Sequence, residues 1–135
     1  MTKAHYGQRI LQTVAQRNVR AFDAVGRWGG EEFAIVAQNV GAGMLRGLAE
    51  RLRILIEQCA LSVDTASVRV TVSLGAVIAR SDDTPLSLFE RADHVLYQSK
   101  RRRRNCVLVE ETLSLAGAAG EAHAALRMRT ESPSF

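Results

Sequence analysis

The amino-acid sequence predicts an α+β domain, in which helices pack on a mostly antiparallel sheet. Apolar residues recur every three or four positions in three segments, which is typical of amphipathic helices. Short apolar runs and one stretch of two-residue alternation lie between these segments, and both are typical of strands. The chain has 135 residues, which is the length of one domain at roughly 100–200 residues per domain.

The predicted helices cover residues 7–19, 43–59 and 85–100. The second has the most regular spacing, with apolar residues every three or four positions from Met44 to Cys59. The third has a clear start, because Thr84 can cap a helix and Pro85 suits the first helical position.

The predicted strands begin with a β-hairpin. Residues 23–28 and 33–37 are apolar runs around two glycines, which enter turn conformations with positive φ freely. Residues 68–78 alternate and predict a strand with one core face, and residues 106–109 predict a short closing strand. The domain is therefore expected to span residues 1–109. Residues 110–135 are expected to form an Ala-rich C-terminal tail, with a weak helix and then a disordered end.

Positive charge is concentrated in one place. The net charge is +4, but the run from Lys100 to Arg104 holds five consecutive cations, so the rest of the chain is close to neutral. Such a cluster attracts phosphates, either on nucleotides or on nucleic acid. Nucleic acid is the weaker alternative, because the few aromatic residues are scattered and form no stacking surface with the cations.

Other classes of protein are not supported. No apolar run approaches the ~20 residues of a membrane helix, and no secretory signal follows the N-terminus. Cys59 and Cys106 show no metal or redox spacing, so both are expected to be reduced and buried. We therefore expect a cytoplasmic protein that does not interact with membranes.

The hairpin turn is the first candidate site. Glu31 and Glu32 place two carboxylates beside Gly29 and Gly30, which have no side chains. Carboxylate oxygens suit Mg²⁺, and bare glycines allow a nucleotide to approach the backbone. The alternative is a hairpin tip whose glutamates point to water. The turn alone does not separate these interpretations.

The surrounding motifs resemble the GGDEF family of diguanylate cyclases, in the variant that reads GGEEF. The resemblance runs from residue 7 to residue 107, and its motifs follow the family's order. These are Arg20-Ala21-Phe22-Asp23 (RxxD), Arg27-Trp28 before the glycines, Ala49-Glu50-Arg51-Leu52-Arg53 (AERIR), Thr71-Val72-Ser73-Leu74-Gly75 (TVSIG), Arg91-Ala92-Asp93 (RAD), Leu96-Tyr97-Gln98-Ser99-Lys100 (LYxAK) and Arg104-Asn105 (RN). The resemblance implies a palm-like nucleotidyl-cyclase domain with a ferredoxin-like core.

The resemblance also implies a reaction. The family condenses two GTP molecules into cyclic di-GMP and releases two pyrophosphates, with one GTP on each chain of a homodimer. Such phosphoryl transfer is catalysed mainly by positioning and by cations. By resemblance, Glu31 helps to deprotonate the attacking hydroxyl, and Glu31 and Glu32 bind Mg²⁺ or Mn²⁺. The resemblance also implies that Gly29 and Gly30 line the nucleotide. Lys100 and Arg104 would neutralise phosphate charge.

A second site is implied by the RxxD motif. Arg20 and Asp23, with Arg51 on the following helix, match the family's inhibitory site for cyclic di-GMP. A guanidinium can pair with guanine O6 and N7, and a carboxylate can accept hydrogen bonds from guanine nitrogens. Three unrelated surface charges are the alternative, and the register with the turn favours the ligand site.

Two family elements are not found before residue 7. They are a first strand that carries an Asp metal ligand and a first helix that carries a guanine-reading Asn. Because that strand is central in the fold, its absence predicts unpaired strand edges, which recruit other chains. Three explanations stay open: the true start lies upstream of Met1, another chain supplies the strand, or the domain is a degenerate remnant.

The functional prediction is therefore a diguanylate cyclase domain by ancestry, with an RxxD product-inhibition site and little or no activity as written. The alternative is a non-catalytic cyclic di-GMP receptor that signals through a partner. Loss of half of the metal ligands would remove most of the rate of a two-metal mechanism.

Overall fold

The computed structural model describes residues 3–18, 24–27, 32–38, 40–63, 66–110 and 123–131. Three helices and seven strands lie within them, and the predicted α+β class is confirmed. In chain order the elements are α1 (Lys3–Asn18), β1 (Ala24–Arg27), β2 (Glu32–Ala37), α2 (Ala42–Gln58), β3 (Ala60–Val63), β4 (Ala66–Arg69), β5 (Thr71–Ile78), α3 (Pro85–Arg102), β6 (Val107–Glu110) and β7 (Ala124–Glu131).

Five strands form the main sheet, in the order β1-β2-β7-β5-β6. Every neighbouring pair is antiparallel except β5 and β6, which run parallel. The predicted hairpin is present, since Val25 of β1 lies opposite Ile35 of β2. β3 and β4 form a separate two-stranded antiparallel sheet that the sequence did not predict.

The helices cover both faces of the main sheet and create two apolar clusters. One face packs against α1 and α2, where Leu11, Leu45 and Leu52 are fully buried. The opposite face packs against α3 through Ala92 and Val95. The sheet is therefore the middle of three layers, and charged side chains that point from it must find partners within the fold.

β5 differs from its prediction in two ways. The predicted single strand over residues 68–78 is interrupted at the buried residue Val70, so that β4 ends before β5 begins. The polar positions were expected to face solvent, yet Ser73 is fully buried. The reason is that α3 covers the face of β5 that alternation alone assigns to water.

The start of α3 is as predicted. The Thr84 side chain accepts a hydrogen bond from the Ser87 backbone amide, and the Ser87 hydroxyl accepts one from the Thr84 amide. This reciprocal capping box satisfies two backbone donors at the helix start, and Pro85 follows at the first position of the helix.

The prediction for the C-terminal tail was wrong over residues 124–131, which form the central strand β7. Six residues of β7 pair with β2, and eight pair with β5. The open edges expected within the sheet are therefore joined by a strand of the same chain. Ala, Leu, Met, Arg and Glu favour helices in isolation, but backbone pairing on both sides overrides that preference.

No helix in the described part of the chain is long and apolar enough to cross a membrane.

Candidate functional site

Four of the predicted site residues lie within the described residues: Glu32, Arg51, Lys100 and Arg104. The other five lie outside them: Arg20, Asp23, Gly29, Gly30 and Glu31. The predictions for these five residues, including most of the RxxD site, therefore stay predictions.

Glu32 begins β2 and forms an ion pair with β7. Its Oε2 accepts a hydrogen bond from Nη2 of Arg127 at 2.7 Å. The Arg127 side chain is 5% exposed, whereas that of Glu32 is 24% exposed. Breaking a pair that is buried on one side typically costs about 3–5 kcal/mol, because it leaves a charge without compensation. The carboxylate predicted to bind metal is thus already neutralised by an arginine of the same chain.

Small neighbours make room for the Arg127 side chain. In the sheet, Arg127 lies directly opposite Ala34 of β2 and Gly75 of β5. The same Nη2 atom also lies 3.5 Å from Oδ1 of Asp93 on α3. One guanidinium nitrogen therefore lies within ion-pair distance of two carboxylates, Glu32 and Asp93, between the sheet and α3.

Arg104 is paired with the end of β7. Its Nε lies 3.2 Å from Oε2 of Glu131, whose side chain is 6% exposed. The other carboxylate oxygen of Glu131 accepts a hydrogen bond from the buried hydroxyl of Ser73. The Arg104 side chain itself is largely exposed.

The turn after α3 sets the position of Arg104. Asn105 has a φ of 57°, a left-handed conformation that asparagine adopts more readily than most residues. Its side-chain amide donates to Glu57 at 2.5 Å, and its oxygen accepts from Arg53 at 3.3 Å. These bonds tie the loop between α3 and β6 to α2.

The remaining cations of the basic run lie at the end of α3. Lys100 is half-buried and forms no ion pair with any residue that the structure describes. The Arg101 guanidinium lies 5.9 Å from the centre of the Tyr97 ring, in cation–π range. Lys100 is thus the predicted phosphate ligand that has no ion-pair partner in the described part of the chain.

Arg51 lies on the exposed side of α2. It forms no ion pair with the described residues, whereas its neighbour Arg53 pairs with Glu50 and Glu57.

Arg91, of the predicted RAD motif, has a structural role. It donates to Asp83 at 2.5 Å, to Glu110 at 2.9 Å and to the Ile78 carbonyl at 2.9 Å. Burial of the Asp83 carboxylate opposes its ionisation, but hydrogen bonds from the Arg80 amide, the Ser87 hydroxyl and Arg91 outweigh that effect. They hold the pKa of Asp83 below its ordinary value.

The predicted magnesium site stays a prediction, because Glu31 lies outside the described residues. Mg²⁺ prefers several oxygen ligands, yet the described residues contain no group of three His, Cys, Asp or Glu side chains that could hold a metal. Glu32 pairs with the Arg127 guanidinium, whose positive charge would repel a cation.

Arg127 and Glu131 are the two site residues that sequence reasoning missed. The signal was present in the sequence, where the apolar Leu126 and Met128 alternate with the charged Arg127 and Arg129. That pattern predicts a strand.

The chain matches the model of the family "Diguanylate cyclase, GGDEF domain" over residues 4–106. It is 34% identical over 109 residues to diguanylate cyclase A of Treponema denticola, covering 78% of this chain and 29% of the relative. It is 35% identical over 108 residues to the response regulator PleD of Caulobacter vibrioides, covering 76% of this chain and 24% of the relative. The chain thus spans only 24–29% of the length of these relatives.

Two solved structures are also similar. The GGDEF domain of DgcB from Caulobacter crescentus, in complex with c-di-GMP, has a TM-score of 0.72 and 29% identity, over 77% of this chain and 63% of that one. Diguanylate cyclase SiaD from Pseudomonas aeruginosa, in complex with its activator SiaC, has a TM-score of 0.69 and 30% identity, over 76% of this chain and 40% of that one. The family match ends at residue 106, before β7. The chain belongs to the GGDEF domain family of diguanylate cyclases.

Proposed function

We propose that this domain binds cyclic di-GMP through Arg20, Asp23 and Arg51, and that it condenses GTP slowly or not at all. The observation that carries this proposal is the 2.7 Å ion pair between Glu32 and Arg127. A carboxylate that is already neutralised attracts a divalent cation weakly, and the family's reaction depends on cations at the developing phosphate charge.

Binding of cyclic di-GMP is supported by Arg51. This side chain is exposed and forms no ion pair with the described residues. An arginine fork can donate two hydrogen bonds to guanine O6 and N7, and this geometry suits the predicted role. The similar DgcB domain was solved in complex with c-di-GMP, which adds support from a relative.

An active cyclase is the competing function, and Lys100 is the observation that favours it. Its charge remains free among the described residues and could bind a phosphate. Such an enzyme would need GTP lined by Gly29 and Gly30, Mg²⁺ or Mn²⁺ at Glu31 and Glu32, and a homodimer that brings two GTP molecules together. Its rate per chain would rise with protein concentration, because two copies must meet.

Two measurements on the purified chain test the proposal. Chromatography after incubation with GTP and Mg²⁺ should detect little or no cyclic di-GMP. Calorimetry should show binding of cyclic di-GMP to the wild type, and Arg20→Ala and Arg51→Ala should each weaken it at least about tenfold, as expected for loss of a guanine-reading arginine. Arg9→Ala, an exposed arginine of α1, is the matched control and should bind as the wild type does.

Clear formation of cyclic di-GMP, with a rate per chain that increases with protein concentration, would establish the homodimeric cyclase instead. Absence of cyclic di-GMP binding by a folded sample would refute the receptor function.

A further inference from the structure

The two charged site residues that the structure describes in ion pairs share one partner element. Glu32, predicted to bind metal, pairs with Arg127, and Arg104, predicted to bind phosphate, pairs with Glu131. Both partners lie on β7, four residues apart and on the same face of the strand. We infer that β7 is an autoinhibitory strand, whose Arg127 takes the place of the cation and whose Glu131 takes the place of the phosphate. This inference rests on the proposed function, because it gives a structural cause for the slow turnover proposed above.

The geometry around Arg127 supports the first half. Its Nη2 lies 2.7 Å from Glu32 and 3.5 Å from Asp93. A positive centre shared by two carboxylates on different elements is the arrangement that a bound divalent cation would have. Backbone pairing with β2 and β5 on both sides of Arg127 holds the strand that carries this guanidinium.

The geometry around Glu131 supports the second half. A carboxylate 3.2 Å from Arg104 presents oxygen acceptors to the guanidinium, as a phosphate would. Ser73 donates a hydrogen bond to the second oxygen of Glu131, so the carboxylate is held in place from β5. A polyphosphate that approaches Arg104 therefore meets a negative charge next to it.

β7 is also separate from the part of the chain that the family shares. The family match ends at residue 106, and β7 begins at Ala124. Arg127 and Glu131, which pair with Glu32 and Arg104, thus lie outside the region that matches the family.

The test removes the charge of Arg127 or of Glu131 and measures the affinity for the ion whose place that side chain takes. Arg127→Gln should raise the affinity for Mn²⁺ at least about tenfold, measured by the electron paramagnetic resonance signal of free Mn²⁺, because the repelling charge is gone. The double variant Glu32→Gln/Arg127→Gln should lose this gain, since the ligand is removed. Arg9→Gln makes the same charge change on the surface of α1 and should leave Mn²⁺ affinity unchanged.

The second arm addresses phosphate. Glu131→Gln keeps an oxygen that can accept from Ser73, and it should raise the affinity for inorganic pyrophosphate about tenfold by calorimetry. Glu90→Gln, on the exposed side of α3, is its control. Circular dichroism verifies the fold of each variant, and Arg127→Met, of similar length, replaces Arg127→Gln if that variant does not fold.

An Mn²⁺ affinity that stays at the wild-type value in a folded Arg127 variant overturns the inference, and so does an unchanged pyrophosphate affinity in Glu131→Gln. Calorimetry with cyclic di-GMP separates this result from the proposed function. Gained Mn²⁺ and pyrophosphate binding without cyclic di-GMP binding would support the strand's role and refute the receptor. Cyclic di-GMP binding with unchanged affinities for Mn²⁺ and pyrophosphate would support the receptor and refute the strand's role.

Discussion

Gly75 of β5 lies directly against the backbone of Leu96 in α3. A Cβ atom added at Gly75 would be 2.2 Å from the Leu96 amide nitrogen and 2.8 Å from the Ala92 carbonyl oxygen. These are backbone atoms, which cannot turn away as a side chain can. The helix therefore packs closely on the sheet only because residue 75 has no side chain.

Gly75→Ala should destabilise the domain by about 1–3 kcal/mol or more, because α3 must move away from the sheet. The free energy of unfolding from urea titration measures the effect. Gly43→Ala is the matched control, since a Cβ there meets nothing within 4 Å on α2. That control should be neutral or stabilise the helix by up to about 1 kcal/mol, and equal losses in both variants would contradict the close contact.

Met128→Ala should cost about 2–5 kcal/mol, because Met128 is fully buried on β7 and its loss leaves a cavity between the sheet and the helices α1 and α2. Urea or thermal unfolding gives the value. Met44→Ala removes a methionine that is 59% exposed, and its effect should be within about 0.5 kcal/mol of the wild type. A Met128→Ala variant as stable as Met44→Ala would show that β7 does not hold the central position.

Asp83→Asn should reduce stability at neutral pH and flatten its dependence on pH in acid. The folded-state pKa of Asp83 is below its ordinary value, so the ionised carboxylate stabilises the fold above the unfolded-state pKa of about 3.9. That contribution is lost as the pH falls through the lower folded-state pKa. Urea unfolding at several pH values should show a smaller acid loss in Asp83→Asn than in the wild type. Asp82→Asn, an exposed neighbour, should follow the wild type, and identical acid profiles for all three proteins would refute the role of Asp83.

Thr84→Ala should cost about 1 kcal/mol, because the Ser87 amide at the start of α3 loses its acceptor. Thr84→Ser keeps a hydroxyl at the cap and should recover most of the loss in a thermal unfolding comparison. Equal destabilisation by both substitutions would mean that the methyl group, rather than the hydrogen bond, matters at this position.

Local signals in the sequence predicted much of the fold. Thr84 and Pro85 marked the start of α3 to the residue, and the paired glycines marked the hairpin between β1 and β2. These features depend on residues within a few positions of one another. The sequence did not predict that both faces of β5 are buried. An alternation of polar and apolar residues does not show which face of a strand a later helix will cover.

The site was harder to predict, because its partners are far apart in the chain. Glu32 and Arg104 were identified from motifs, but the partner of Glu32 lies 95 residues away. No local pattern specifies such a pair. The Ala-rich composition after residue 110 predicts a tail, whereas the pairing of β7 with β2 and β5 on both sides makes residues 124–131 a strand.

The place of β7 has a consequence for how the domain is made. Of the described elements it is the last to leave the ribosome, yet it lies between β2 and β5, which are synthesised earlier. The sheet can close only after residue 131 has emerged, and until then two hydrogen-bonding edges face the chaperones and other nascent chains around it. Pairing partners this distant in sequence also slow folding, so this domain should depend on assistance during synthesis more than a domain whose central strand emerges first.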